Sequence, residues 1–185
     1  YKAKSQLDVQ LQATDPSGLS LSKSFTIKVT AVNERPTDIT LSSYSIQENS
    51  VAGTVVGSLI ATDPDVGDTH SFSLIGGTGL SLFEISASKQ LVVKSGAKID
   101  YETLVSPSVT VQATDTDGFS YQKAITLSVK DVNEKPEDIF LSSTRLDENS
   151  ASAIVGTLSV TDPDANDTHT LTLYDSKNST DSSYF

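Results

Sequence analysis

The stretch Val109-Thr110-Val111-Gln112-Ala113-Thr114-Asp115 decides the fold. Its apolar side chains fall at every second position, the period of a strand with one face in a core and the other in water. The same alternation returns in Ile125, Leu127 and Val129. One hundred residues earlier stand Val9 and Gln12-Ala13-Thr14-Asp15, so the strand is also one copy of a repeat.

Working outward, Gly18, Thr26, Val29 and Val32-Asn33-Glu34 recur at Gly118, Thr126, Val129 and Val132-Asn133-Glu134. Pro36, Asp38-Ile39, Leu41-Ser42-Ser43 and Glu48-Asn49-Ser50 recur at Pro136, Asp138-Ile139, Leu141-Ser142-Ser143 and Glu148-Asn149-Ser150. After one deletion, Asp63-Pro64-Asp65 and Asp68-Thr69-His70 return as Asp162-Pro163-Asp164 and Asp167-Thr168-His169. The chain therefore divides into the C-terminal part of one unit (1–35), a complete unit (36–135) and the N-terminal part of a third (136–185). Pro36 and Pro136 remove an amide donor where strand pairing should stop, which marks the linkers.

In the complete unit the pattern predicts seven short strands, around 39–47, 54–62, 70–75, 82–87, 90–95, 107–114 and 121–131, and no helix. Short strands with turn signals at this spacing predict an all-β fold of tandem seven-stranded antiparallel sandwiches joined head to tail. Neither partial unit can close a sandwich alone, so each is expected to expose apolar surface. Either the chain is a piece of a longer protein, as its start at Tyr1 without Met or signal peptide suggests, or neighbouring copies complement each other.

Composition narrows the function. The 185 residues carry 13 Lys+Arg against 24 Asp+Glu, a formal charge of −11. That excess repels phosphate, which makes nucleic acid and anionic membrane surfaces poor partners and cations the natural ones. Hydrophobic residues at 36 % suit small cores better than one large core. With no Cys there are no disulfides, thiolate metal sites or cysteine nucleophiles. No apolar run approaches the ~18 residues of a membrane span, so no direct membrane insertion is expected in this segment.

Strand direction sorts the carboxylates. In an up-and-down count each connection lies at the pole opposite the one before. Glu48, Asp100, Glu102, Asn133 and Glu134 fall at the pole where the chain leaves the unit, and Asp63, Asp65 and Asp115 at the pole where it enters. Head-to-tail joining then sets Asp162 and Asp164 against the exit set at the second linker. Two like charges at 4 Å repel by roughly 4 kcal/mol at an effective dielectric near 20, so a crevice this acidic calls for a cation. Hard oxygen ligands on flexible loops suit Ca²⁺ better than Mg²⁺, which demands an octahedron and keeps its waters. The absence of Cys, with only two His, disfavours Zn²⁺. Asp, Asn, Gly and Pro also populate turns for backbone reasons, and one DPD alone carries little weight. Recurrence of Glu-Asn-Ser, Asp-Pro-Asp and Val-Asn-Glu, at poles that converge, carries the metal reading.

These motifs resemble the cadherin tandem repeat, and most closely the cadherin-like repeats of large bacterial surface proteins. The resemblance covers essentially the whole chain and rests on QENS (47–50), DENS (147–150), ATDPD (61–65), VTDPD (160–164), DYE (100–102), ATDTDG (113–118), VNERP (32–36) and DVNEKP (131–136). It implies a Greek-key sandwich, an extracellular, cell-surface or secreted location, and up to three Ca²⁺ between consecutive repeats. Carried over, Glu48, Asp100, Glu102 and Glu134 would serve two ions at the second linker, and Asn133, Asp162 and Asp164 the third, with Asp164 also bridging. Two departures stand out: Glu34 and Glu134 replace the family's usual Asp, and Lys2 stands where Glu102 stands in the next unit. The first linker is therefore expected to hold fewer ions, chiefly through Asn33, Glu34, Asp63, Asp65 and Asp115. The counterpart of Asp115 in the third unit would fall beyond Phe185, which leaves the second linker's third site incomplete as well. With no Trp, the strand exchange of adhesive first repeats has no support.

Catalysis is not expected. Asp63 and Asp65 could suggest glycoside chemistry, which needs two acids with split pKa values across a cleft, but the pair is duplicated in each unit. No nucleophile, phosphate loop or His-centred triad accompanies it. His70 and His169, where the third strand starts, are expected to contact nearby carboxylates rather than to act as pH switches. Asn166-Asp167-Thr168 and Asn178-Ser179-Thr180 match the glycosylation sequon, a frequent chance pattern in Ser/Thr-rich sequence. Two roles stay open: a Ca²⁺-stiffened stalk in an adhesion protein, and a module that binds polysaccharide or another copy of itself, for which Tyr44, Tyr121 and Tyr174 are the candidate contacts.

Overall fold

The computed structural model describes residues 5–145, 147–148 and 154–173, all as strands, turns and connecting segments without a helix. Tyr174, Lys2 and the second sequon lie outside these residues, as do Asn149 and Ser150 of the DENS motif.

The middle unit is a two-layer sandwich. One sheet has the order β3 (Asp38–Leu41), β5 (Val55–Thr62), β8 (Gln90–Val93), β7 (Phe83–Ile85), and the other β10 (Ser120–Thr126), β9 (Ser108–Thr114), β6 (Ser71–Gly76). A further pair, β4 (Ser45–Gln47) with β11 (Ser128–Lys130), continues the second layer. The chain changes layers between β5 and β6, β6 and β7, and β8 and β9, which is Greek-key connectivity. Between the layers lie Ile39, Phe83, Leu91, Val93, Ile99, Val109, Val111 and Leu127, all fully buried. β9 alternates half-buried and buried residues along its whole length, as Val109, Val111 and Ala113 predict.

Two of the seven expected strands are divided. The run 39–47 breaks at Ser42–Tyr44, so that β3 pairs with β5 in the four-stranded sheet while β4 pairs with β11 in a separate two-stranded sheet. β4 and β11 run parallel, which departs from an all-antiparallel sandwich. At the break Gly57 approaches Ser43 closely, and the register of β5 on β8 shifts there. A Cβ there would stand 2.8 Å from the Ser43 amide nitrogen, and Gly156 repeats the contact with Ser143. Ser42 bridges the bend, its amide donating to the Ser58 carbonyl and its hydroxyl accepting from the Ser58 amide. The run 121–131 likewise divides at Leu127, whose amide turns to the Pro107 carbonyl.

Before the middle unit, β1 (Gln6–Thr14) and β2 (Ser20–Lys28) form a hairpin; after it, β12 (Asp138–Leu141) pairs with β13 (Leu158–Thr161). Their apolar faces match ones buried in the middle unit. Leu11 is 60 % exposed where Val111 is fully buried, and Ile139 is 60 % exposed where Ile39 is fully buried.

Register fixes the poles. Asp38 faces Thr62, while Thr114 faces both Ser71 and Ser120, so Asp63, His70 and Asp115 leave the sheets at the entry end. At the other end, Glu48 follows β4 and its amide bonds to the carbonyl of Lys130, the last residue of β11.

Candidate metal centres

The second junction is organised by Glu48. This side chain is buried, with Oε2 accepting from the Tyr101 amide at 2.9 Å and Oε1 from the Val132 amide at 2.7 Å. One carboxylate thereby ties the Asp100–Glu102 turn and the linker peptide to the end of β4. Asn49, in the left-handed region at φ 56°, donates its side-chain amide to Glu134 Oε1 at 2.6 Å. Oxygens of Glu48, Glu102 and Asp131 lie within 4.8 Å of one another. Across the junction the Glu134 amide donates to Asp164 Oδ2 at 2.7 Å, and Asp164's own amide donates to Asp162 Oδ1 at 3.0 Å. Asp100, Glu102, Glu134 and Asp162 line one cleft, and Glu102, Asp131, Asn133 and Asp164 line another. Six of the seven residues expected at this linker line these two clefts, with Glu48 buried beside them, although Asn133 directs its amide to the Glu134 carbonyl.

The first junction repeats the framework, with Ala31 where the second has Asp131. The Glu34 amide donates to Asp65 Oδ2 at 2.6 Å, and the Asp65 amide to Asp63 Oδ1 at 2.8 Å. Asn33 reaches across, its side-chain amide donating to Asp115 Oδ2 at 2.9 Å. Asp115 Oδ1 accepts from the Asp117 and Phe119 amides. Asp63, Asp68 and Asp115 form a second trio within 4.8 Å, and Asp162, Asp164 and Asp167 a third. Both histidines contact the first Asp of their DPD motif, at 2.9 Å for His70 with Asp63 and 2.8 Å for His169 with Asp162.

The electrostatics follow from this crowding. Partial desolvation, reinforced by the charges of Asp164, Glu48 and Glu134, pushes the exposed Asp131 carboxyl above its usual range. Burial and then Asp63, Asp65 and Asp115 do the same to Asp68. A backbone hydrogen bond draws Glu102 down, but burial with Glu48, Glu134 and Asp131 outweighs it, and the carboxyl is raised. Burial would raise Asp115 too, but donors from Asn33 and the Phe119, Asp117 and Gly118 amides hold it low. The His169 contact lowers Asp162.

Asp131, Asp68 and Asp167 are site residues that the sequence reading passed over. Asp131 heads DVNEKP, and the other two stand in the repeated Asp-Thr-His. Strand direction sorts residues by pole but does not measure distance. Position 31 holds Ala where the second junction has Asp131, a difference visible in the aligned repeats.

The donor set fits a hard cation. It is all oxygen, it comes from loops and linker backbone, and it includes Asp68 Oδ2, a buried oxygen with no hydrogen-bond partner among the described residues. Two acidic junctions flanking a Greek-key sandwich define a class: tandem β-sandwich repeats with cation-type sites where the units meet.

Comparison with known proteins agrees. The chain is similar to Cadherin-8 of Rattus norvegicus, 31 % identical over 187 residues that cover 88 % of this chain and 23 % of that protein. Cadherin-7 of Mus musculus is 29 % identical over 188 residues that cover 89 % of this chain and 24 % of that protein. In fold it is similar to extracellular cadherin domains 1–4 of Protocadherin Gamma B7, with a TM-score of 0.67 at 24 % identity, covering 88 % of this chain and 42 % of that one. No family model matches. Sequence and fold together support the cadherin extracellular repeat family, and the chain spans about a quarter of the length of the curated relatives it matches. These relatives are mammalian, and the closer likeness to bacterial surface proteins finds no support in them. No helix among the described residues is long and apolar enough to cross a membrane.

Proposed function

We propose that residues 1–35, 36–135 and 136–185 are successive extracellular cadherin-like repeats whose junctions bind Ca²⁺, so that the ions set the angle between units in a cell-surface adhesion protein. The observation that carries this reading is the second junction. There, oxygens of Glu48, Glu102 and Asp131 gather within 4.8 Å while the Glu134 amide is held by Asp164 of the next unit. An ion placed among these groups would crosslink two units and replace mutual repulsion with shared attraction. Binding to the folded state alone would also raise stability by mass action. Glu48, Asp100, Glu102, Asn133, Glu134, Asp162 and Asp164 would hold ions at the second junction, and Asn33, Glu34, Asp63, Asp65 and Asp115 at the first. Glycan recognition is the weaker alternative: Tyr44 is exposed, but Tyr121 packs against the core and gives no flat platform.

The test is small-angle scattering of the 185-residue chain in millimolar Ca²⁺ and in EDTA. An extended, narrowly distributed profile in Ca²⁺ that shortens and broadens on chelation is the expected result. Superimposable profiles, with no Ca²⁺-dependent change in melting temperature, would overturn the reading.

A further inference from the structure

We propose that Asp68 is a direct ligand of the cation at the first junction, joining Asp63, Asp65 and Asp115. This rests on the Ca²⁺ reading above but assigns a residue that the motif resemblance leaves out.

The carboxylates around Asp68 are already held. Asp63 accepts from the Asp65 amide on one oxygen and meets His70 on the other. Asp115 is fixed by the Asp117 and Phe119 amides and by Asn33, and Asp65 by the Glu34 amide. Those bonds hold the carboxylates while leaving further lone pairs free, and oxygens of Asp63 and Asp115 lie within 4.8 Å of an Asp68 oxygen. Asp68 differs: its Oδ2 is removed from water, lies beside these acids and meets no donor. A buried anionic oxygen in that position is costly unless a positive charge arrives, and a divalent cation supplies one at the place where the trio converges. The loop is shaped for it. Gly67 at φ 97° turns the chain, and the Asp68 amide closes onto the Asp65 carbonyl, which returns the side chain toward the DPD pair. The third unit supplies an independent instance, because the spacing of 63, 65 and 68 recurs at 162, 164 and 167 and its three carboxylates again lie within 4.8 Å. At the first junction the added oxygen also offsets what is missing upstream, where Ala31 stands in place of an acid.

A residue-resolved Ca²⁺ titration of the full chain by amide NMR tests this. The Gly67 and Gly118 amides report on the first junction and Ala165 on the second, and Asp68→Asn is compared with Asp63→Asn and wild type. Asp68→Asn should bind at least about tenfold more weakly at Gly67 and Gly118, with Ala165 unchanged, and in EDTA should melt at or above the wild-type temperature because a repelling charge is gone. Asp68→Asn that titrates like wild type while Asp63→Asn is weakened would overturn the Asp68 ligand and leave the Ca²⁺ reading standing. Asp68→Asn that melts well below wild type in EDTA would mark the side chain as structural support and overturn the proposal equally. If wild type shows no Ca²⁺-dependent shift at any of these amides, the Ca²⁺ reading falls and the proposal with it.

Discussion

The two junctions share a backbone and differ in charge. At both, the linker Glu amide is held by the second Asp of the following DPD motif, Glu34 by Asp65 and Glu134 by Asp164, and that Asp is braced by the first. The upstream side is where they part. The second junction brings Glu48, Glu102 and Asp131 to meet the DPD motif, whereas at the first, position 31 is Ala and the sequence counterpart of Glu102 is Lys2. The same amide-to-carboxylate bond thus recurs at both junctions, while the acid at position 131 belongs to the second alone. This separation of framework from charge is what targeted changes can break.

The largest effect should come from removing the anchor of the richer junction. Glu48→Ala leaves the Tyr101 and Val132 amides without their acceptor in a buried position, at about 1–3 kcal/mol each, partly offset by relief of repulsion with Glu102 and Asp131. A net loss of about 2–4 kcal/mol in urea unfolding without Ca²⁺ is expected. Glu48→Gln, which keeps one acceptor oxygen, should lose less. Equal unfolding midpoints for Glu48→Ala and wild type would show that the carboxylate is not an anchor.

A smaller change should carry the first junction toward the second. Ala31→Asp restores the acid that position 131 supplies. In calorimetric Ca²⁺ titration it should tighten the first junction by about tenfold, since affinity at oxygen sites follows the count of charged ligands. It should also lower stability in EDTA. Unchanged affinity would mean that a single upstream carboxylate does not account for the difference.

Much of this comparison was legible beforehand. The alternation of Val109, Val111 and Ala113 gave the strand, and chain direction delivered Glu48 and Asp63 to opposite poles. What stayed hidden depends on distance rather than period. The break at Ser42–Tyr44 coincides with the close approach of Gly57 to Ser43, a tertiary contact with no local signature. Asp131, Asp68 and Asp167 sit within quoted motifs, but only the folded loops reveal that their oxygens crowd the others.

The smallest effect, and the one that separates the junctions without altering ligand number, is the pH dependence of the metal-free protein. Asp68 at the first junction, and Asp131 and Glu102 at the second, have folded-state pKa values raised above their unfolded values. For such groups the folded state binds the proton more tightly, so their contribution is fully present below the unfolded carboxylate range and is lost as pH rises through the raised values. Asp115 and Asp162 are lowered and act in the opposite sense, contributing above the unfolded range and losing that contribution as pH falls through their lowered values. In EDTA, stability should therefore rise modestly on mild acidification from neutrality and fall again once the lowered carboxylates take up protons. Two of the three raised groups belong to the second junction, so Asp131→Asn should flatten the rise more than Asp68→Asn does, because it also removes the repulsion that Asp131 exerts on Glu102. Urea midpoints between pH 7 and the carboxylate range measure this. A wild-type profile that falls steadily with acidification, or one equally insensitive to both substitutions, would show that the crowded acids do not store the repulsion assigned to them.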